Sequence, residues 1–346
     1  MNGLQTARFR RKVFGLGLLC CLATSLCAIG QSAGLGNIQP RMRVIIDNDF
    51  SGDPDGLFQL AHQLMSPSVE IRAIIGSHLS VNDGFDRSKT QADNAAKKAR
   101  ELLQAMNSTK TIPVLAGSNT AMLNDSTPVK SEAVNFIIQE ALRSDTKLPL
   151  YIVCGAGLTE IASAVLTNPQ IAGKLTLVWI GGPEYPELAP PPPGYSEVEY
   201  NLNIDRAAAR VIFNKSAVPL WQVPRNVYRQ CLISYAQLLT KVKPRGKVGA
   251  YLSGTLETLM ARIQQFINLG ETYVLGDSPL VLLTALQSSF EPDPSSSHYV
   301  VRQAPLINQS AVYAHNHKGR PIRVYTHLDT YLMFADFFAK LELMYP

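Results

Sequence analysis

The sequence predicts an α/β protein: one domain built on a mostly parallel central sheet, with helices on both faces. Three observations carry that expectation. Short apolar runs alternate with segments whose apolar residues return every three or four positions, the β-then-α rhythm of a parallel sheet. Several apolar runs end in glycine or acidic residues, as strands do where such sheets meet a ligand crevice. No internal repeat and no flexible linker divides residues 41–346, so a single large core accounts for them.

In order, "RVIID" (43–47) reads as the first strand and "GLFQLAHQLM" (56–65) as a helix. "VEIRAIIG" (69–76) is a strand, and "SKTQADNAAKKARELLQAM" (88–106) a long amphipathic helix with Ala and Leu opposite Lys and Arg. "TIPVLAG" (111–117) is a short strand, "SEAVNFIIQEALR" (131–143) a helix and "LPLYIVCG" (148–155) a strand. "LTEIASAVLTNP" (158–169) is a helix stopped at its Asn-Pro, followed by the strand "KLTLVWIGG" (174–182). "DRAAARVIFN" (205–214) reads as a helix, "VPLWQVP" (218–224) as a strand and "DTYLMFADFFAKLELM" (329–344) as a closing helix.

The amino-terminal segment stands apart. Arg8, Arg10, Arg11 and Lys12 precede an apolar stretch from Val13 to Ile29, and small residues follow in "CAIGQSAGLG" (27–36). That is the layout of a secretory signal peptide, here expected over residues 1–33, which directs the chain to the periplasm or outside the cell. The alternative is an uncleaved anchor, for which the stretch is marginally long enough. After cleavage no stable membrane association is expected.

The formal charge is +5; removing four of the 32 basic residues and none of the 27 acidic ones leaves it near +1, so nucleic acid is not an expected partner. Three of the five cysteines go with the leader. Cys154 and Cys231 remain, and either pair or rest as buried thiols. A homo-oligomer is left open.

The stretch "VIIDNDFSGDPDG" (44–56) gathers Asp47, Asp49, Asp53 and Asp55 at one strand end, just before a helix. Their mutual repulsion costs stability unless a cation offsets it. A hard ion such as Ca²⁺ or Mg²⁺, bound through oxygen, turns that repulsion into attraction. Simple helix capping by Asp53 or Asp55 is the plainer alternative. Other strand ends expected on the same rim are "GSH" (76–78), "CGAG" (154–157), "GGPE" (181–184) and "PRN" (224–226).

At these residues the chain resembles the inosine-uridine preferring nucleoside hydrolase family, whose Asp-x-Asp and following aspartate pair hold a Ca²⁺. The similarity continues in order. "TQADNAAKKARELL" is like the family's Asn-Ala helix, and "IPVLAGS" its Pro-Val-x-x-Gly strand. "GAGLTEIASAV" is like Gly-Pro-Leu-Thr-Asn-hydrophobic-Ala, and "LVWIGG" like Met-Gly-Gly. "EYNLNIDRAAARVIF" resembles Glu-Phe-Asn with its Asp-Pro-x-Ala-Ala helix, and "LGDSPLVLLTAL" the element bearing the last metal-binding aspartate.

The resemblance implies a Ca²⁺-dependent hydrolase that cleaves the N-glycosidic bond of a nucleoside or related riboside. Asp49 is then a metal ligand and the general base towards a metal-activated water, with Asp47 behind it fixing its orientation. Asp53, Asp55, Asp277 and the Gly155 carbonyl complete the implied ligand set. Asp53, Ser77, His78, Glu199, Tyr200 and Asn201 are the implied sugar contacts. Carboxylates near the ring suit the chemistry, because the transition state resembles an oxocarbenium ion.

The chain also departs from the pattern. Asp53-Pro54-Asp55-Gly56 stands for an adjacent aspartate pair, which reads as a one-residue insertion. The proline run before Tyr195 offers no amide where the family has an asparagine, and reads as a stiff loop shaping the pocket mouth. Gly276 stands in place of a histidine credited with protonating the leaving base, and Ser77-His78 in place of an asparagine. Tyr228, Tyr185 or Trp179 could take over activation of the base. His315, His317 and His327 are spaced unlike a zinc site. These departures keep a weakened, sugar-binding relative as the alternative. A phosphatase-like use of Asp47 as nucleophile lacks a matching downstream lysine.

Overall fold

The computed structural model describes residues 35–287 and 296–346, and the expected leader lies outside them. Among the described residues the strands are β1 (Met42–Asn48), β2 (Val69–Gly76), β3 (Val114–Ala116), β4 (Leu150–Cys154), β5 (Leu175–Ile180) and β6 (Leu220–Val223). They continue with β7 (Leu232–Ser234), β8 (Thr272–Val274), β9 (His298–Gln303), β10 (Leu306–Ile307), β11 (Tyr313–Ala314) and β12 (Pro321–His327). The helices are α1 (Asp55–Leu64), α2 (Gln91–Ala105), α3 (Glu132–Ala141), α4 (Thr159–Thr167), α5 (Tyr200–Ile204) and α6 (Arg206–Arg210). Next come α7 (Arg225–Tyr228), α8 (Tyr235–Gln237), α9 (Gly246–Ile263), α10 (Pro279–Leu282) and α11 (Thr330–Met344).

The main sheet has eight strands in the order β3-β2-β1-β4-β5-β6-β12-β9. Every pairing in it is parallel except β9 with β12. The predicted fold class is what the structure has. The register places Asp47 opposite Ile75 and Cys154, so the acidic end of β1 sits mid-sheet, flanked on both sides.

The period of two along β1 divides the core. Val44 and Ile46 face a cluster that includes α1, α2, α9 and α11, while Ile45 faces the cluster built from α3, α4 and α6. All three are fully buried, each contributing about 1.5–3 kcal/mol by the usual area relation. Local chemistry sets the helix starts: Ser131 Oγ accepts from Val134 N at 3.1 Å, and Asp329 caps α11 in the same way. The closing helix falls within the residues expected for it.

Some expectations change. β3 is confined to Val114–Ala116, because Pro113 has no N–H and sits on the edge strand. The "DRAAARVIFN" helix is α6 continued by a wider π turn over Val211–Lys215. Cys154 and Cys231 are both free and buried, so they do not pair.

Candidate active site

The chain leaves β1 for β2 and β3 on one side and returns to β4 on the other, so strand order reverses at β1. A crevice therefore opens between the carboxyl ends of β1 and β4, where parallel sheets place their ligands. A cavity of about 600 Å³ lies there, the size of a small-molecule site. Asp49, Asp53, Asp55, Gly155, Glu199, Tyr200, Asn201, Gly276 and Asp277 all line it.

Asn48 organises the deep end. Its Nδ2 donates to Asp277 Oδ2 at 2.9 Å, and its Oδ1 accepts the N–H of Asp49 at 2.8 Å. A side chain at Gly155 would begin 2.5 Å from Asn48 Nδ2 and 2.7 Å from Asp277 Cγ, so only glycine leaves this corner free. The Gly155 carbonyl accepts from Asn201 Nδ2 at 3.1 Å. Sequence reasoning missed Asn48, although it is the middle residue of the Asp-x-Asp motif.

Both Asp53 and Asp55 reach the cavity wall, with Pro54 between them as the cap residue of α1. Their capping bonds are local and partial: Asp53 Oδ1 accepts from Asp55 N at 3.2 Å, and Asp55 Oδ1 from Gly56 N at 2.8 Å. The other Asp53 oxygen accepts from the Tyr273 hydroxyl at 2.5 Å, a contact across 220 positions that the sequence did not reveal.

Burial, then repulsion from Asp277 and Asp53, pushes the Asp49 carboxyl well above the ordinary carboxylate range. Asp55 moves the same way, by burial and then the charges of Asp277, Asp53 and Asp49. Asp53 is raised to about 6 and Asp277 to about 7, burial being the largest cause for each. Among the described residues none of the four is in an ion pair.

Glu199 forms the next layer. One oxygen accepts the N–H of Gly182 at 2.6 Å and of Leu202 at 2.9 Å; the other accepts the Tyr228 hydroxyl at 2.9 Å. Gly182 has φ +85°, a backbone state that favours glycine, which is why the Gly-Gly strand end can aim its N–H here. Tyr200 lines the cavity and donates to Asp83 at 2.9 Å. Opposite stand Phe85, Ile263, Ile267, Leu269 and Val274, an apolar wall. Tyr195, after the proline run, stands at the cavity too, its ring 4.2 Å from the Arg225 guanidinium.

Other expected residues lie elsewhere. Ser77 and His78 do not line the cavity, which corrects their expected sugar contacts. Ser77 Oγ donates to Asp47 behind β1, and both His78 ring nitrogens are engaged by protein atoms. Asp47 is fully buried on that hidden side, its carboxyl raised by burial to about 7. Trp179 is a core residue donating to the Ala156 carbonyl at 3.0 Å, and Tyr185 is buried on Gln222 at 2.7 Å. Of the aromatics considered for activating the base, only Tyr228 reaches the cavity. A side chain at Gly276 would begin 3.3 Å from both Tyr228 and Asp55, so Tyr228 occupies the ground a larger residue there would need.

The family model described as inosine-uridine preferring nucleoside hydrolase matches residues 44–334. The chain belongs to this family. A search among curated proteins gives no match. Among solved structures, a plant nucleoside hydrolase is similar over 87% of this chain and 99% of its own, with a TM-score of 0.66 and 19% identity. An inosine-guanosine nucleoside hydrolase has the same coverage, a TM-score of 0.64 and 18% identity. A purine-preferring ribonucleoside hydrolase from Gardnerella vaginalis gives 0.63 and 17% over the same shares. At these identities the structures establish the nucleoside hydrolase fold. Family membership supports a hydrolase acting on nucleosides.

Proposed function

We propose that the protein is a secreted, Ca²⁺-dependent N-ribosyl hydrolase that takes nucleosides or related ribosides. What carries the reading is the meeting, in one cavity, of four carboxylates without cationic partners and a Glu199–Asn201 pair. Among the described residues no three His, Cys, Asp or Glu side chains stand ready as metal ligands. Asp277 is held by Asn48 and Asp53 by Tyr273.

The donors nonetheless fit a hard divalent ion in kind: all are oxygen, Asp49 and Asp277 are buried with Asp53 and Asp55 half-buried beside them, and Gly155 keeps their corner clear of side chains. Asp49, Asp55, Asp277 and the Gly155 carbonyl would hold it, with Asp53 beside them. When bound, the ion supplies positive charge that grips vicinal hydroxyls and acidifies water.

The chain's own residues do the rest. Asp49 takes the proton of the attacking water at its carboxylate. Glu199 and Asn201 position the sugar, and the anionic floor favours positive charge developing at the ring. The apolar wall shelters the leaving base from water, and Tyr228 stands where it could donate a proton. The Tyr228–Glu199 bond and the bare Gly276 favour one second reading, a relative that binds ribosides and turns them over poorly.

Incubating the purified protein with purine and pyrimidine nucleosides, with calcium and with chelator, tests the proposal. Free ribose released only with metal is the expected result. Binding without release supports the second reading, and neither outcome sinks both.

A further inference from the structure

The cavity holds cations as well as acids, and hydrolysis as described uses only the acids. Arg225 and Arg229 both line it, and among the described residues neither forms an ion pair with the four aspartates. They stand four positions apart on the turn of α7, where the Arg229 N–H donates to the Arg225 carbonyl at 3.2 Å. One face of that turn therefore carries both side chains, and like charges at this spacing repel. Arg225 is moreover only 5% exposed, so its charge is costly to bury unless something answers it.

Glu184 answers half of it. Its two oxygens accept from Arg225 Nε at 2.9 Å and Nη2 at 2.5 Å, a bidentate pair. Burial works to raise the Glu184 carboxyl, but its bonds to Arg225 hold it below the ordinary range. That pair neutralises Arg225 alone. Arg225 Nη1 is buried without a hydrogen-bond partner, and the Tyr195 ring lies over the guanidinium 4.2 Å away. Arg229 is exposed, and among the described residues it is in no ion pair. Two cations thus meet one acid, which leaves one positive charge and a set of unmet N–H donors at the cavity wall. An unmet buried donor costs stability, and an arriving anion removes that cost.

We propose that the cavity selects ribosides carrying an anionic group, and that Arg225 and Arg229 bind that group; the inference rests on the riboside reading above. A guanidinium presents planar donors that match the oxygens of a phosphate or a carboxylate. The backbone places the cations on the sugar's side. Gly182 donates its N–H to Glu199 at 2.6 Å, and its carbonyl accepts the N–H of Arg225 at 3.0 Å. Tyr228, on the same turn, donates to the other Glu199 oxygen. The apolar wall for the base stands opposite. A phosphate on the sugar's primary hydroxyl is therefore the ligand this geometry favours, and a carboxylate on the base is the same chemistry from another source. Glu199 opposes an anion weakly, because the N–H groups of Gly182 and Leu202 and the Tyr228 hydroxyl already take up its charge.

Matched neutral and acidic pairs test it. With calcium present, kcat/KM is compared for inosine 5′-monophosphate against inosine and for orotidine against uridine. Calorimetry of ribose 5-phosphate against ribose, and of orotate against uracil, reads the same preference without turnover. The phosphorylated member is expected to win by roughly 10–100-fold, the weight of charge-assisted hydrogen bonds. A gain confined to orotidine and orotate also supports the inference and moves the anion to the base. Acidic members no better than neutral ones overturn it, even if nucleosides are hydrolysed. If nothing is hydrolysed the riboside reading falls, and calorimetry still decides the anion preference. Two variants assign the site through the acidic-to-neutral ratio: R229Q removes a cation and should lower it about tenfold, whereas E184Q removes the competing acid and should raise it. Opposite signs do not come from general damage to the fold, and a ratio that neither variant moves overturns the assignment to these arginines. If E184Q does not fold, R229Q, at an exposed position, decides alone.

Discussion

The two ends of β1 treat buried charge in opposite ways. At the amino end Arg43 meets Glu140 at 2.6 Å, and Arg72 and Arg143 reach the same carboxylate at 3.2 and 3.1 Å. Glu70 and Asp145 hold the two outer arginines at 2.6 and 2.9 Å, so three cations face three acids. At the carboxyl end Asp49 sits with Asp53, Asp55 and Asp277, and among the described residues none of them has an ion-pair partner. One strand thus carries a finished network and an unfinished one. Charge that serves the fold is matched within the chain; charge left unmatched in a cleft marks the place for a ligand.

Substitutions at the two ends should fail differently. D49A is expected to lower kcat/KM roughly 10²–10⁴-fold, the weight of a general base, with folding intact by circular dichroism. Activity retained by D49A removes it from that role. At the other end, E140A strands buried arginine charge and should cost about 3–5 kcal/mol in denaturant unfolding, while kcat per folded molecule stays unchanged. A loss of turnover without a loss of stability would break the contrast.

D277N sharpens it. In chelator this variant should melt no lower than wild type, since it removes a repelling charge. Calcium at about 100 times the dissociation constant should stabilise wild type by roughly 2.7 kcal/mol and leave D277N unmoved. An equal rise in both would place the ion elsewhere. Y228F, which removes the hydroxyl donor to Glu199, is expected to cost about tenfold in kcat/KM, or about 1.4 kcal/mol. Steady-state kinetics that do not change would confine Tyr228 to packing.

The smallest effect concerns a matched site far from the cavity. His62 lies 2.7 Å from Asp336, which Lys340 also reaches at 2.6 Å. Burial chiefly holds the imidazole below its ordinary 6.5, and the opposing pull of Asp336 does not restore it. Asp336 is raised by burial but ends below its ordinary value through its bonds to His62 and Lys340. Both groups bind fewer protons folded than unfolded. Their stabilisation is therefore complete above about pH 6.5 and fades as pH falls. Unfolding midpoints measured from pH 7 down to pH 4 should drop more steeply for wild type than for H62Q.

The sequence revealed what local pattern can encode. The β1 run, the acid cluster and the helices at 91–105 and 330–344 carry strong periodicity or composition, and the structure has them. Asp53 and Asp55 both face the cavity despite the intervening proline. What escaped was set by distant partners. Asn48 reads as an unremarkable spacer until Asp277 folds against it, and Tyr273 looks like any strand aromatic until Asp53 arrives. Helix α9 was passed over because Gly249, Gly254, Thr255 and Thr258 weaken its helical signature. Gly249 is there because an added Cβ would sit 2.0 Å from the Val242 carbonyl. Ser77 and His78 were misplaced for a related reason: periodicity locates a strand end but not the side on which the chain leaves it.

The Asn48–Asp277 bond joins positions 229 apart in the chain. A polypeptide emerging from the ribosome therefore presents its early aspartates long before the distal arm exists. Under the proposed function, an ion bridging the two arms could be held only once both have been made and folded together, so a chain cut short upstream of Asp277 is expected to lack activity however well its first strands pair.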